Sequence, residues 1–297
     1  MATALEIPSW FKDQFDTSWQ HLVQQRESRL REYGILRPFS GKRKGFNQLG
    51  TTSWRKITGR NQETTPTDVD KYKRWLNKVG YDWVAWEDEF DQELLAEIAA
   101  PQSAEVEAAG MSWNREVDLL FASKAIGTAY EGADGTTAIA LPASQQIAVN
   151  YVESGAAANS GLTIGKLRKA NSIFGLADVD DSEPRVMAVT QNQLDDLLRT
   201  TEVTSADYNS VKALVDGKVD TFMGFKFKRV NGLAKSGSVR SCAAWVKSGI
   251  WYDMGERRTH MDLLPTRNHT MQIRLVQHMD AVRSEESKCV EILCQES

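Results

Sequence analysis

Few residues of this chain stand at the spacings that catalysis or ligand chemistry demands. Two glycine-rich stretches resemble phosphate loops, in which backbone N–H groups cradle phosphate oxygens and a closing lysine meets the outer phosphates. Gly155–Gly161 (GAAANSG) lacks the closing Lys-Ser/Thr, and Gly161–Lys166 (GLTIGK) has the wrong spacing. His21, His260, His269 and His278 show neither an H-E-x-x-H pair nor Cys/His ligand spacing. Asp178, Asp180 and Asp181 match part of a calcium loop but lack its Gly and its distal Glu. Glu87–Asp91 supplies neighbouring carboxylates, with nothing beside them to shield them or set their pKa values apart. No G-x-S-x-G nucleophile elbow occurs. Asn268-His269-Thr270 is a glycosylation sequon, which acts only in a secreted chain. The expectation is no catalytic residue, no metal and no cofactor. Active sites can assemble from dispersed residues, so this shifts weight toward a structural or binding protein.

The elements that would position any such residues belong to an ordinary globular chain. Of 297 residues, 41% are hydrophobic and 26% charged, enough for one large domain or two smaller ones. A formal net charge of -4 makes no whole-chain case for nucleic-acid binding. No apolar run reaches the roughly 18 residues of a membrane span, and the N-terminus lacks the basic start and apolar core of a secretion signal. The expectation is a chain folded in cytosol, with no membrane partner. Cys242, Cys289 and Cys294 are then expected as buried free thiols.

The chain is organised around Ser103–Glu131, which reads as one long amphipathic helix. Val106, Ala109, Trp113, Val117, Leu120, Phe121 and Ala125 recur at helical spacing, Ser103 is placed to cap the start, and the Gly132–Gly135 turn is expected to stop it. Upstream, Pro8–Tyr33 reads as a helix carrying Trp10, Phe11, Phe15 and Trp19, aromatics that must dock on their own domain or on a neighbouring subunit. Between these helices the chain changes character. Gly41–Gly59 reads as extended, with Phe46, Leu49, Trp54 and Ile57 along it; Thr64–Asp68 reads as a tip; Tyr72–Trp86 returns as a strand with Tyr81, Trp83 and Ala85 on one face and Val84 and Trp86 on the other. This long hairpin-like excursion has too few aliphatic residues for a core of its own.

Its charge is segregated. Arg37, Lys42, Arg43, Lys44, Arg55, Lys56, Arg60, Lys71, Lys73 and Arg74 precede a run from Asp82 to Glu97 that holds Glu87, Asp88, Glu89 and Asp91 and no base. Each run alone reads as a solvated face. Together they suit a self-complementary, repeating interface, because opposite charges steer encounter and fix register.

Downstream, Thr137–Leu141 and Gln146–Val152 read as strands and Leu162–Phe174 as a helix, followed by a polar linker at Asp178–Pro184. Arg185–Thr190 reads as a buried strand, Gln193–Arg199 and Ser205–Asp216 as short helices, and Val219–Val230 as a strand. Ser241–Tyr252 reads as a strand running into a helix, and Met271–Val282 with Lys288–Gln295 as a closing hairpin.

In this order the pieces resemble the major capsid proteins of tailed bacteriophages, the Hong Kong-type capsid fold. The resemblance rests on Leu119–Gly135, on Arg185–Leu198 with Ala206–Phe227, and on Asp280–Gln295. A pattern of strand, Q-x-x-x-L-L, D-Y and a G-x-V-x-x-F-x-G-F strand matches at Gln193, Leu197, Leu198, Asp207, Tyr208, Gly217, Val219, Phe222, Gly224 and Phe225. The resemblance implies an α+β chain with an N-terminal arm (1–37), an extended β-hairpin loop (38–98), a peripheral domain with the long spine helix (99–180), an axial domain (181–264) and a return to the peripheral domain (265–297). It implies a structural, non-enzymatic protein of the virion that assembles with itself into hexamers and pentamers around a double-stranded DNA genome. The partners implied are a separate scaffolding protein, a portal protein, a decoration or cement protein and packaged DNA through non-specific contact. The scaffold is expected to be separate because the chain starts almost directly with its arm, and no isopeptide crosslink is expected because no Lys–Asn pair can be matched. The residues expected at subunit contacts are Trp10, Phe15, Trp19, Arg43, Lys44, Trp54, Arg55, Lys56, Arg74, Glu87, Asp88, Glu89 and Asp91. The competing readings are an encapsulin-like shell, a hydrolase or transferase with a dispersed site and a basic lid, and a nucleic-acid-binding protein using 38–74 with Trp54, Tyr72 and Trp75 as stacking platforms.

Overall fold

A computed structural model describes residues 24–87, 102–199, 221–267 and 269–296. The chain enters through a 3-10 turn at Arg31–Tyr33 and a short strand β1 (Ile35–Leu36). Strands β2 (Arg43–Leu49) and β3 (Lys71–Asn77) form a hairpin, and β4 (Val79–Glu87) continues from it. The long helix α1 (Gln102–Ile126) comes next, then β5 (Ala129–Glu131), β6 (Thr137–Ile139) and β7 (Gln146–Ile147). Helix α2 (Ile164–Leu176) leads to β8 (Arg185–Val189) and helix α3 (Gln191–Arg199). The remainder is β: β9 (Thr221–Phe222), β10 (Phe225–Arg229), β11 (Lys235–Ser236), β12 (Val239–Val246), β13 (Ile250–Met254), β14 (Arg258–Leu264), β15 (Thr270–Arg283) and β16 (Cys289–Gln295).

The chain folds as two compact units. The larger comprises residues 28–80, 116–199, 221–255 and 278–296 among those described. Its main sheet runs β7-β16-β12-β8-β10-β9, with β11 on β12. Every residue of β8 is buried: Arg185 enters with Asn171 and Asp181 as partners, and Val186–Val189 is the unbroken apolar run that a strand covered on both faces requires. Helix α2 starts at Thr163, whose hydroxyl accepts from the Lys166 N–H, and it buries Ile164, Leu167, Ala170, Ile173 and Phe174, the stripe expected from their spacing. A second sheet of this unit, β2-β3-β5-β6, carries the hairpin. The three cysteines are buried free thiols. Burial pushes the Cys289 thiol up to about 12.

The smaller unit comprises residues 24–27, 81–87, 102–115, 256–267 and 269–277. Here β14 pairs antiparallel with β15 from Arg258↔Val276 to Leu264↔Thr270. Tyr81 meets Trp113 edge-on at 5.5 Å, and Arg267 lies 4.0 Å from the Trp86 ring. Along β4, Tyr81, Trp83 and Ala85 are half-buried while Val84 and Trp86 are exposed, the alternation read from the sequence.

Several local expectations are corrected. The helix expected to reach Tyr33 does not cover residues 24–30. The Arg29 and Leu30 N–H groups, which a helix would give to its own carbonyls, instead donate to the Asp118 carboxylate at 3.0 Å. Gly34 then lies so close to Phe121 that a side-chain carbon there would come within 2.6 Å of the ring. The spine helix stops at Ile126 rather than near Gly132, because Ala129–Glu131 pairs with β3 and β6. Val219–Val230 is not one strand: Met223 (φ 51°) and Gly224 (φ 82°) make a tight turn joining β9 to β10, both positions left-handed as a two-residue hairpin turn needs. Ser241–Tyr252 is two strands around a 3-10 turn at Lys247–Gly249; its unbroken burial from Cys242 to Val246 hides the alternation that marks a strand. The closing hairpin is absent as such. β16 pairs with β12 and β7, whereas β15 pairs with β13 and β14. The proposed helix Ser205–Asp216 lies outside the described residues.

Candidate interface arm

The expected excursion is a real hairpin, paired from Arg43↔Asn77 to Leu49↔Lys71. Its root is built into the larger unit. Leu76 packs in a buried cluster with Ala129 and Val282, flanked by Phe39, Phe46 and Trp251. Arg74, only 3% exposed, pairs with Glu286 at 3.0 Å and Glu131 at 3.8 Å. Gln48 donates to the Ser284 carbonyl at 2.8 Å, and Lys78 reaches Asp253 at 2.9 Å. Asp253 faces Asp280 directly across β13 and β15. Two buried carboxylates so placed repel unless each is compensated; Asp280 has Lys124 at 2.8 Å and the Asn77 N–H at 3.3 Å. Burial still pushes the Asp280 pKa upward, against the pull of Lys124. Nearby, fully buried Arg283 donates to the Ala125 and Gly127 carbonyls at the end of α1, where a cation also suits the helix dipole.

The far end of the hairpin is the opposite. Residues 50–70 form no helix or strand. Trp54 is fully exposed, Ile57 is 80% exposed and Leu49 75%. Only local bonds shape the loop: Arg55 donates to Thr65 Oγ1 and, at 2.9 Å, to the Glu63 carbonyl, and the Thr58 N–H donates to Gln62 at 3.0 Å. Exposed aromatic and aliphatic side chains gain nothing in the isolated chain, whereas covering each of them stabilises by roughly 1.5–3 kcal/mol.

The residues expected at subunit contacts therefore separate. Trp54, Arg55 and Lys56 lie together on the bare loop. Arg43 lies on the hairpin, its guanidinium 4.9 Å from the Trp75 ring and 3.0 Å from the Asp134 carbonyl, and Lys44 sits 5.2 Å from the Phe46 ring. Arg74 is engaged inside the chain at the root. Glu87 ends β4, and its side chain lies outside the described residues, as do Asp88, Glu89, Asp91, Trp10, Phe15 and Trp19. Leu49 and Ile57 are exposed on the same arm, and what marks them in the sequence is an apolar side chain in a polar, glycine-rich stretch.

The motif residues first weighed for chemistry have structural partners. Lys166 of GLTIGK is fully buried, and its ammonium donates to the carbonyls of Val149, Ser160, Gly161 and Leu293 at 2.8–3.0 Å. Desolvation lowers its pKa, and it binds the 149–161 segment to β16 instead of facing a ligand. Asp181 pairs with Arg185, and Asp180 accepts from the Ser182 N–H at 2.8 Å in a turn. Among the described residues no group of three or more His, Cys, Asp or Glu is placed to hold a metal ion, and no helix is long and apolar enough to cross a membrane. Gln193, from the pattern shared with capsid proteins, is fully buried: it accepts from Thr190 and donates to Glu296 at 2.9 Å. Arg240 and Lys235 also close on Glu296, at 2.8 and 2.9 Å, and the Arg240 hydrogen bonds hold its carboxyl well below the usual range.

Comparisons with known proteins agree with this architecture. A family model for phage capsid proteins matches residues 7–296. Among solved structures, the capsid of cyanophage P-SCSP1u superposes with a TM-score of 0.72 at 12% identity, covering 96% of this chain and 93% of that one. The capsid of Ralstonia phage GP4 gives 0.70 at 10% identity over 100% and 99% of the two chains. The head of Helicobacter pylori bacteriophage KHP40 gives 0.70 at 8% identity over 95% of each. At such identities the likeness is one of fold. No curated protein matches. With the model match spanning nearly the whole length, the chain belongs to the phage capsid protein family and is a structural protein of a capsid shell.

Proposed function

We propose that copies of this chain assemble into hexamers and pentamers of an icosahedral shell around a double-stranded DNA genome, and that the tip of the 43–77 hairpin is laid on a neighbouring copy. The observation that carries this reading is the arm itself: a root clamped by buried ion pairs and a tip with exposed Trp54 and Ile57. A monomer has no use for such a tip. In a closed shell the same weak contact recurs in every subunit, and symmetry multiplies its effect. Under this reading residues 1–37 are the N-terminal arm, 38–98 the extended loop, 99–180 and 265–297 the peripheral domain, and 181–264 the axial domain. Arg43, Lys44, Arg55 and Lys56 supply positive charge at the contact; Trp10, Phe15, Trp19, Glu87, Asp88, Glu89 and Asp91 are its other members. A separate scaffolding protein, a portal, a decoration protein and non-specific contact with packaged DNA complete the set of partners. The role asks for no catalysis.

The test is negative-stain microscopy with light scattering on the purified chain, alone and coexpressed with a candidate scaffold. Gly50 bonds Asp70 across the hairpin, so residues 51–69 can be replaced by Asn-Gly without disturbing the root. The expected result is uniform capsomers or shells from the wild type and none from the shortened arm. A chain that stays monomeric under every condition overturns the reading. Salt-sensitive DNA binding by the free chain would favour the nucleic-acid reading instead.

A further inference from the structure

The sheet β2-β3-β5-β6 carries a cleft of about 480 Å³ that the shell reading has not used. Asn47, Lys71, Tyr72 and Lys73 form one wall and the β5–β6 turn the other. The cleft is built in advance. Trp75 donates to the Gly132 carbonyl at 2.7 Å and Arg43 to the Asp134 carbonyl at 3.0 Å, so the turn is pinned to the hairpin. Gly135 (φ 68°) packs so tightly on Trp75 that a side-chain carbon would come within 2.7 Å of the ring.

Its charge is uncompensated. Neither Lys71 nor Lys73 forms an ion pair among the described residues, and the Lys73 ammonium lies 5.3 Å from the Trp75 ring. The carboxylate in the lining, Glu131, is turned to Arg74. A concave site whose two lysines form no ion pair among the described residues fits an acidic peptide. The sequence contains one such peptide: residues 87–97, EDEFDQELLAE, have carboxylates at 87, 88, 89, 91, 93 and 97, no base, and Phe90 among them.

We propose that this cleft is the docking site for the acidic segment 87–97 of a second copy of the chain. The inference rests on the shell reading and adds to it which surface receives the neighbour. Opposite charge here fixes register between copies, and like charge would reject a misplaced one.

Two charge reversals of the full chain test it, under conditions in which the wild type forms shells: K71E/K73E, and E87K/D88K/E89K/D91K. Each alone is expected to lower shell yield at least about tenfold, read by sedimentation and microscopy. Mixed in equal amounts the two are expected to assemble together, since each then offers the complement of the other. Rescue only when both sets are placed in one chain would mean a contact within a copy and would overturn the proposal. Shells from K71E/K73E at wild-type yield would also overturn it while leaving the shell reading intact; a wild type that forms no shells under any condition fails the shell reading itself. The neutral variant K71Q/K73Q guards against misfolding. It is expected to flatten the salt dependence of assembly, and an unchanged dependence counts against the cleft.

Discussion

The two ends of the 43–77 hairpin are built on opposite principles. At the root, every charge that enters the protein meets a partner: Arg74 has Glu286 and Glu131, Lys78 has Asp253, and Asp280 has Lys124. At the tip, the largest apolar side chains face solvent and the backbone is held by a few local bonds. The difference follows from what each end must do. An arm that reaches a neighbour needs a fixed origin, and buried ion pairs lock direction because breaking one strands the other charge. Under the proposed assembly its tip stays uncommitted until a neighbour arrives, and its apolar burial is deferred to that contact.

The largest expected effect is at the root. Arg74→Ala should destabilise the unassembled chain by about 3 kcal/mol in urea unfolding, since it strips Glu131 of its cation and leaves Glu286 with Arg283 alone, at 3.5 Å. A loss below about 1 kcal/mol would mean that the apolar cluster alone anchors the arm.

Elsewhere in the larger unit the Glu296 cluster should behave like the root, with a pH signature of its own. Its carboxyl pKa is depressed in the fold. The stabilisation is therefore present above the unfolded value of about 4.3 and is lost as pH falls through the lower folded value. Glu296→Gln should cost about 1.5–3 kcal/mol at neutral pH, and its unfolding curve should converge with that of the wild type in acid. Asp118→Ala comes next, at about 1–3 kcal/mol, because the Arg29 and Leu30 N–H groups lose their acceptor. Limited proteolysis should then cut within residues 24–30 faster than in the wild type.

The smallest stability effect belongs to the tip. Trp54→Ala should leave unfolding within about 0.5 kcal/mol of the wild type while sharply lowering shell yield. If the same substitution destabilises the free chain, the tip is not a bare end and the comparison collapses.

Much of this fold was legible in residue order. The alternation of β4 and the α2 stripe announce themselves by local periodicity, the all-buried β8 by an unbroken apolar run after Arg185 and the spine helix by a long stretch free of Pro, and Trp54 and Ile57 stand out as apolar residues in a polar, extended stretch. Other features carried no such mark. The pairing of β16 with β12 rather than β15 depends on which sheet each strand meets, not on its own alternation. Lys166 looks like any surface lysine until four carbonyls close on it, and Arg74 like one more base of a basic run until Glu286 and Glu131 surround it. The sequence by itself determined that an arm exists, that it has no core of its own and that a long helix follows. Only the tertiary structure decided where the arm is anchored and which of its charges stay free. Periodicity is a property of neighbouring residues, whereas the fate of a charge is set by desolvation and by partners from distant parts of the chain.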